Sequence, residues 1–211
     1  MIGDKLVIEK HHTDRAIELC DYLNSRIGDR FCLTVAGESG AGKSELAWEI
    51  ARIFKVRGVN TGIFQQDDYF VLPPKTNHEM RRNNLKLVGL YEVKLNFLSS
   101  NLRSFKRNEN PIFKLLVFFD EDRITTEEME VDDWQVLIAE GTYTSLLEFV
   151  DFRVFIDRDY HQTLGDRKRR ARDKFDPFIM DVLEIEHNII SKHQSLANAV
   201  INPTFDRIRF S

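Results

Sequence analysis

The chemistry of this chain is concentrated in a short run of small residues closed by a lysine and a serine. Gly37-Glu38-Ser39-Gly40-Ala41-Gly42-Lys43-Ser44 fits the Walker A pattern G-x-x-x-x-G-K-S. Backbone N–H groups of such a loop surround phosphate oxygens, and the positive end of the following helix adds to the attraction. Lys43 is expected to reach the outer phosphates, and the Ser44 hydroxyl to ligate Mg²⁺. The pattern counts only between a strand and a helix. Phe31-Cys32-Leu33-Thr34-Val35-Ala36 reads as a buried strand, and Glu45 to Phe54 has helical apolar spacing. All eight loop residues are therefore read as the cradle for a nucleoside triphosphate.

A phosphoryl-transfer centre also needs carboxylates, one to accept the proton of an attacking hydroxyl and one to support the metal. Asp67, Asp68, Glu140 and Asp157 each follow an apolar run that reads as a strand. In open α/β sheets ligands sit at those carboxyl ends. Asp67 is assigned as general base and Glu140 as metal support. Asp68 and Asp157 are read as ordinary loop carboxylates.

Arg167-Lys168-Arg169-Arg170-Ala171-Arg172-Asp173 places five cations in six residues. It is either a solvated basic face or a lid that closes over a triphosphate. Its place after a core strand favours the lid, with Arg169 and Arg172 on one helical face and acting in catalysis. Tyr69, Phe70 and Tyr91 pack on a substrate ring or line the core. Tyr69 and Tyr91 are carried as substrate-binding candidates, and Phe70 is given to the core. His187 and His193 stand six apart, which does not make a metal pair on a helix.

The elements that must position these residues follow from periodicity. Residues 13–27 read as an amphipathic helix, an N-terminal extension over 1–28 whose apolar face packs on the core or on a second subunit of a homo-oligomer. Val59 to Phe64 reads as a strand, 73–90 as a loop with a short polar helix, and Val93 to Phe105 as a helix. Residues 112–131 read as a hairpin. Val136 to Ala139 and Phe152 to Ile156 read as strands buried on both faces. A basic helix spans 159–173, with the lid region reaching 175, a further helix spans 178–194, and Ala199 to Ile201 forms a last strand. The alternation predicts a single α/β domain over 1–211, with a doubly wound parallel sheet of the P-loop nucleoside triphosphate hydrolase type, a small hairpin insertion and an arginine-rich lid helix.

Bulk composition narrows the partners. The chain has 211 residues, 42% hydrophobic, with a net charge of −4. That balance gives no electrostatic case for nucleic acid. No run is long enough to span a membrane, and the N-terminal ten residues lack an apolar leader segment. The two cysteines fit a reducing compartment, so a cytoplasmic location is expected.

Four segments together carry a family resemblance: the 37–44 loop, Gln66-Asp67-Asp68-Tyr69-Phe70, Val136-Leu137-Ile138-Ala139-Glu140-Gly141, and Arg169-Arg170-Ala171-Arg172-Asp173. In this order they resemble the uridine kinase / phosphoribulokinase family of P-loop kinases. The resemblance implies ATP with Mg²⁺, γ-phosphate transfer to a hydroxyl of a small molecule, Asp67 as base and a mobile arginine lid. A nucleoside such as uridine or cytidine leads as acceptor, with pantothenate, glycerate or a sugar phosphate behind. Residues 82–93 and 174–177 depart from the uridine kinase pattern. A nucleotide-dependent switch protein is the reading from a different class; the chain has no Asn-Lys-x-Asp segment for guanine.

Overall fold

The computed structural model describes the backbone of residues 6–170 and 176–211, and side chains over 6–165 and 176–211. Strand β1, Phe31–Gly37, is central and buried along its whole length. It lies between β5, Val136–Gly141, and β6, Phe152–Ile156, parallel to both. With β2 (Thr61–Gln65), β7 (Ala199–Ile201) and β8 (Ile208–Phe210), the order across the sheet is β2-β5-β1-β6-β7-β8. All neighbours run parallel except β8, which pairs antiparallel to β7 at the edge. The last strand was not expected; three residues behind a turn carry too short a pattern to stand out.

Alternation along the strands makes two cores. Leu33, Val35, Val136 and Ile138 face one side, while Cys32, Ala36, Leu137 and Ala139 face the other. The first side is covered by α1, Lys10–Leu23, and α2, Lys43–Val56. The apolar face of α1 is spent here: Ala16, Leu19, Cys20 and Leu23 are fully buried against α2. This helix begins three residues before the expected start and ends earlier, because the His12 ring Nδ1 accepts the Glu9 N–H and starts the first turn upstream. The opposite side is covered by α4, Leu95–Lys106, through Leu98, Leu102 and Phe105.

Strands β3, Ile112–Phe118, and β4, Arg123–Met129, form a separate antiparallel hairpin. It is docked by buried polar bonds. Asp68 accepts the Val117 N–H at 3.0 Å and stands 3.4 Å from the Lys114 ammonium. Its tip also caps α3, Pro74–Asn83, whose first N–H groups lack a local acceptor. Asp122 supplies one in their place, to the N–H groups of Lys75 at 2.7 Å and Thr76 at 3.2 Å. Two helices complete the fold, α5 (Tyr160–Arg170) and α6 (Pro177–Ile190). Among the described residues no helix is long and apolar enough to cross a membrane.

Candidate active site

The 37–44 loop joins β1 to α2, so its N–H groups gather at the carboxyl edge of the sheet. Gly42 sits at φ +99°, and a Cβ there would lie 2.8 Å from the His12 ring and 3.1 Å from Phe205. Only glycine fits that backbone and that space. Lys43 is nearly buried and folds back over the loop, donating to the Glu38 carbonyl at 2.9 Å. Glu38 faces the other way. Its carboxylate accepts the Tyr160 N–H at the start of α5 at 2.8 Å and stands 2.6 Å from His187 Nδ1 on α6. Burial raises its pKa, against the pull of His187 and of the Tyr160 N–H. Nothing in the spacing of 38 and 187 announces this tie, which fastens the loop to both C-terminal helices.

The carboxylate of Glu140 ends β5 beside the loop. Its Oε1 accepts from Ser44 Oγ at 3.0 Å and from Gln65 Nε2 at 3.2 Å. Burial pushes its pKa up to about 7; Lys43 pulls it down and Asp67 pushes it up. The folded chain therefore holds this proton more tightly than the unfolded chain, whose pKa is near 4.5. Between those values the unfolded state ionises first, so this group costs stability as pH rises through the window. A glutamine can accept both hydrogen bonds and does not titrate. In metal-free protein, Glu140→Gln should melt above wild type near pH 8, with the gap closing near pH 5. A gap that does not change with pH in thermal scans would contradict the assignment.

Residues 66–69 form one tight turn after β2, in which Gln66, Asp68 and Tyr69 are buried and Asp67 is exposed. Gln66 is fully buried and spans to the end of β5, donating to Thr142 Oγ1 at 2.9 Å and accepting the Tyr143 N–H at 2.7 Å. Asp67 is exposed and, with Ser39 of the loop, lines a cleft of about 300 Å³. Asp68 points into the protein and anchors the hairpin, as a structural carboxylate. Tyr69 corrects a sequence expectation. It is fully buried, and its hydroxyl donates to Asn101 Oδ1 at 2.8 Å, so it braces α4 and does not face the cleft. Tyr91 is 97% exposed and lies outside the cleft lining.

The cleft lies between α3, the hairpin tip and α6. Phe70, Phe119, Ile179 and Leu183 give it an apolar wall. Its polar floor was invisible in the sequence. Arg81 on α3 donates to Glu92 at 2.5 and 3.0 Å and to Glu186 on α6 at 3.1 Å. These partners stand 11 and 105 residues apart, so no local spacing could expose the group. Across the loop, Glu38, Asp157, Arg158 and His187 line a second hollow of about 270 Å³. Arg169 lies on the backbone of α5 and Arg172 outside the described residues; the side chain of Arg169 is likewise outside the described set. Among the described residues there is no group of three or more His, Cys, Asp or Glu able to hold a metal by themselves.

Comparison with known proteins agrees with this layout. The model of the phosphoribulokinase / uridine kinase family matches residues 32–206. A bifunctional alpha-galactosidase/sucrose kinase from Mediterraneibacter gnavus is 26% identical over 187 residues, 82% of this chain. The chain spans only 20% of the length of that protein. A uridine kinase from Leuconostoc citreum is 23% identical over 180 residues, covering 79% of this chain and 84% of that one. In fold, phosphoribulokinase from Rhodobacter spheroides superposes with a TM-score of 0.62 at 13% identity, over 82% of this chain and 69% of that one. The family match spans most of the sequence, including the loop, Asp67 and Glu140: the chain belongs to the phosphoribulokinase / uridine kinase family of P-loop kinases.

Proposed function

We propose that this protein transfers the γ-phosphate of ATP to a hydroxyl of a small metabolite held in the Asp67 cleft. One observation carries the reading. Asp67 and Ser39 line a single cleft, so a carboxylate and the phosphate-binding loop border the same space. The hollow across the loop, bordered by Glu38, leaves room for the rest of the nucleotide. The loop N–H groups and Lys43 bind the phosphate oxygens. Asp67 orients the acceptor hydroxyl and takes its proton as the oxygen attacks. The family resemblance supports giving Arg169 and Arg172, whose side chains lie outside the described set, the task of neutralising charge on the transferring group.

The residues at Ser44 fit Mg²⁺. A hydroxyl and a carboxylate joined by a hydrogen bond form an all-oxygen donor set, and Mg²⁺ in phosphoryl-transfer sites takes only one or two protein ligands beside phosphate. When bound, the ion neutralises charge on the transferring phosphates. Ser44 and Glu140 would hold it directly or through water, with Glu140 as its carboxylate form.

Acceptor-stimulated ADP release tests the reading. A panel of nucleosides, sugars, organic acids and sugar phosphates is assayed with ATP, with Lys43→Ala as the blank. Release stimulated by at least one hydroxyl compound in wild type, and lost in the variant, is expected. Slow ATP hydrolysis that no acceptor accelerates would instead favour a nucleotide-dependent switch. A nucleoside fits the apolar wall and polar floor of the cleft, and the uridine kinase relative supports that choice.

A further inference from the structure

We propose that Glu38 and His187 are positioning residues that make the order of α6, and with it one wall of the acceptor cleft, depend on a nucleotide held by the 37–44 loop. The acceptor rests on the transfer reading above; the coupling itself needs only a nucleotide on the loop. The Walker A pattern leaves position 38 open, and phosphate binding asks for no carboxylate there. A carboxylate beside a triphosphate costs like-charge repulsion, and burying it costs more unless its oxygens are partnered. Both oxygens of Glu38 are partnered, on two different helices. Oε2 accepts the Tyr160 N–H at the start of α5, and Oε1 stands 2.6 Å from His187 Nδ1 on α6. The next loop residue adds a parallel tie: its carbonyl, on Ser39, accepts from the buried Thr163 Oγ1 of α5 at 3.2 Å. Lys43, the phosphate-binding lysine, is bonded to the carbonyl of the same Glu38. The tie to α6 therefore starts at the residue that braces the lysine.

The far end of the tie is the cleft. Ile179, Leu183 and His187 stand four apart on α6, along one stripe of the helix. The first two line the cleft, and the third lines the hollow across the loop. One turn separates His187 from Leu183, so a restraint on the first restrains the second. α6 is also joined to α3, through Arg82–Asp176 and Arg81–Glu186, so the helix bridges the loop and the opposite wall. Phosphate oxygens pin the N–H groups of the loop. With the tie in place α6 shares that stiffening, and an acceptor then meets a wall already ordered. By linkage, whatever orders that wall tightens the nucleotide in return.

Amide hydrogen exchange on the full chain tests the coupling. The probe is a non-hydrolysable ATP analogue with Mg²⁺, at concentrations that calorimetry shows to saturate each protein. In wild type the bound analogue should slow exchange over α6, residues 177–190, by about tenfold. In His187→Leu that ratio should fall below about twofold, and Glu38→Ala should give the same loss from the loop side. His187→Asn can place an amide N–H where Nδ1–H stands, and it should restore most of the effect. A bond that only stabilises the fold would raise α6 exchange equally with and without the analogue. The ratio in His187→Leu would then match wild type, which overturns the inference. A wild-type α6 that does not respond to bound analogue overturns it too, even where an acceptor stimulates ADP release and the transfer reading holds. Slowing of α6 in a protein that no hydroxyl compound stimulates leaves the coupling standing and sinks the transfer reading. No binding of the analogue by wild type overturns both.

Discussion

Replacing Asp67 with alanine is expected to lower kcat for acceptor phosphorylation by about 10²-fold or more, with ATP affinity close to wild type. The reason lies in the turn that carries it. Gln66 and Asp68 are buried and bonded on either side, so the backbone at 67 is held whatever its side chain. The Asp67 side chain is exposed, and its loss opens no core. Melting temperature should therefore barely move, which separates a chemical effect from a folding one. Asp67→Asn keeps the shape and removes the proton acceptor, and it should fall nearly as far as alanine. The same change takes away the charge that, beside burial, raises the Glu140 pKa, so that group should titrate lower than about 7 in the variant. Turnover by Asp67→Asn within a few-fold of wild type, at saturating acceptor, would remove the base from this position.

The parts of the site visible in the sequence are those whose signal is local. The 37–44 loop, the strand before it and the helix after it form one continuous segment. Glu140 follows from its position at the end of β5, because a parallel strand buried on both faces announces itself as a short apolar run, and Asp67 from the end of the shorter, half-buried edge strand β2. Direction within a turn is harder to read. Tyr69 and Asp67 are two residues apart, yet the tight turn sends one into the α4 core and the other into the cleft. Its aromatic ring fits either place by chemistry, and burial decided. Longer-range groups leave no trace. Glu38 meets His187 across 149 residues, and Arg81 meets Glu186 across 105. Each residue taken alone looks like an ordinary surface charge. Only the packing of α6 across the cleft turns them into a tether on the loop and a caged cation.

The turn that carries Asp67 depends on one glycine at the end of β5, and Gly141→Ala should damage stability and catalysis together. Gly141 has φ +156°, and an added Cβ would lie 2.3 Å from Gln66 Cβ and 2.9 Å from its amide carbon and oxygen. Gln66 cannot step aside cheaply. Both ends of its amide are used in buried hydrogen bonds, to Thr142 and to the Tyr143 N–H. Moving it would leave polar groups unpaired in the interior, and moving the strand instead would pull Glu140 away from Ser44. Overpacking plus a backbone angle that alanine rarely adopts should cost about 3 kcal/mol, or roughly 10 °C in melting temperature for a chain of this size. Gln66 and Asp67 are adjacent, so the proton acceptor shifts with whichever side yields. Displacements of this order at a reacting centre cost about 10²-fold in rate. Turnover measured well below the melting transition should therefore fall more steeply than ATP affinity. Gly28→Ala is the control, since a methyl there meets nothing within 4 Å. If Gly141→Ala matched that control in both melting temperature and kcat, the contact between the ends of β2 and β5 would not be what holds Asp67 in place.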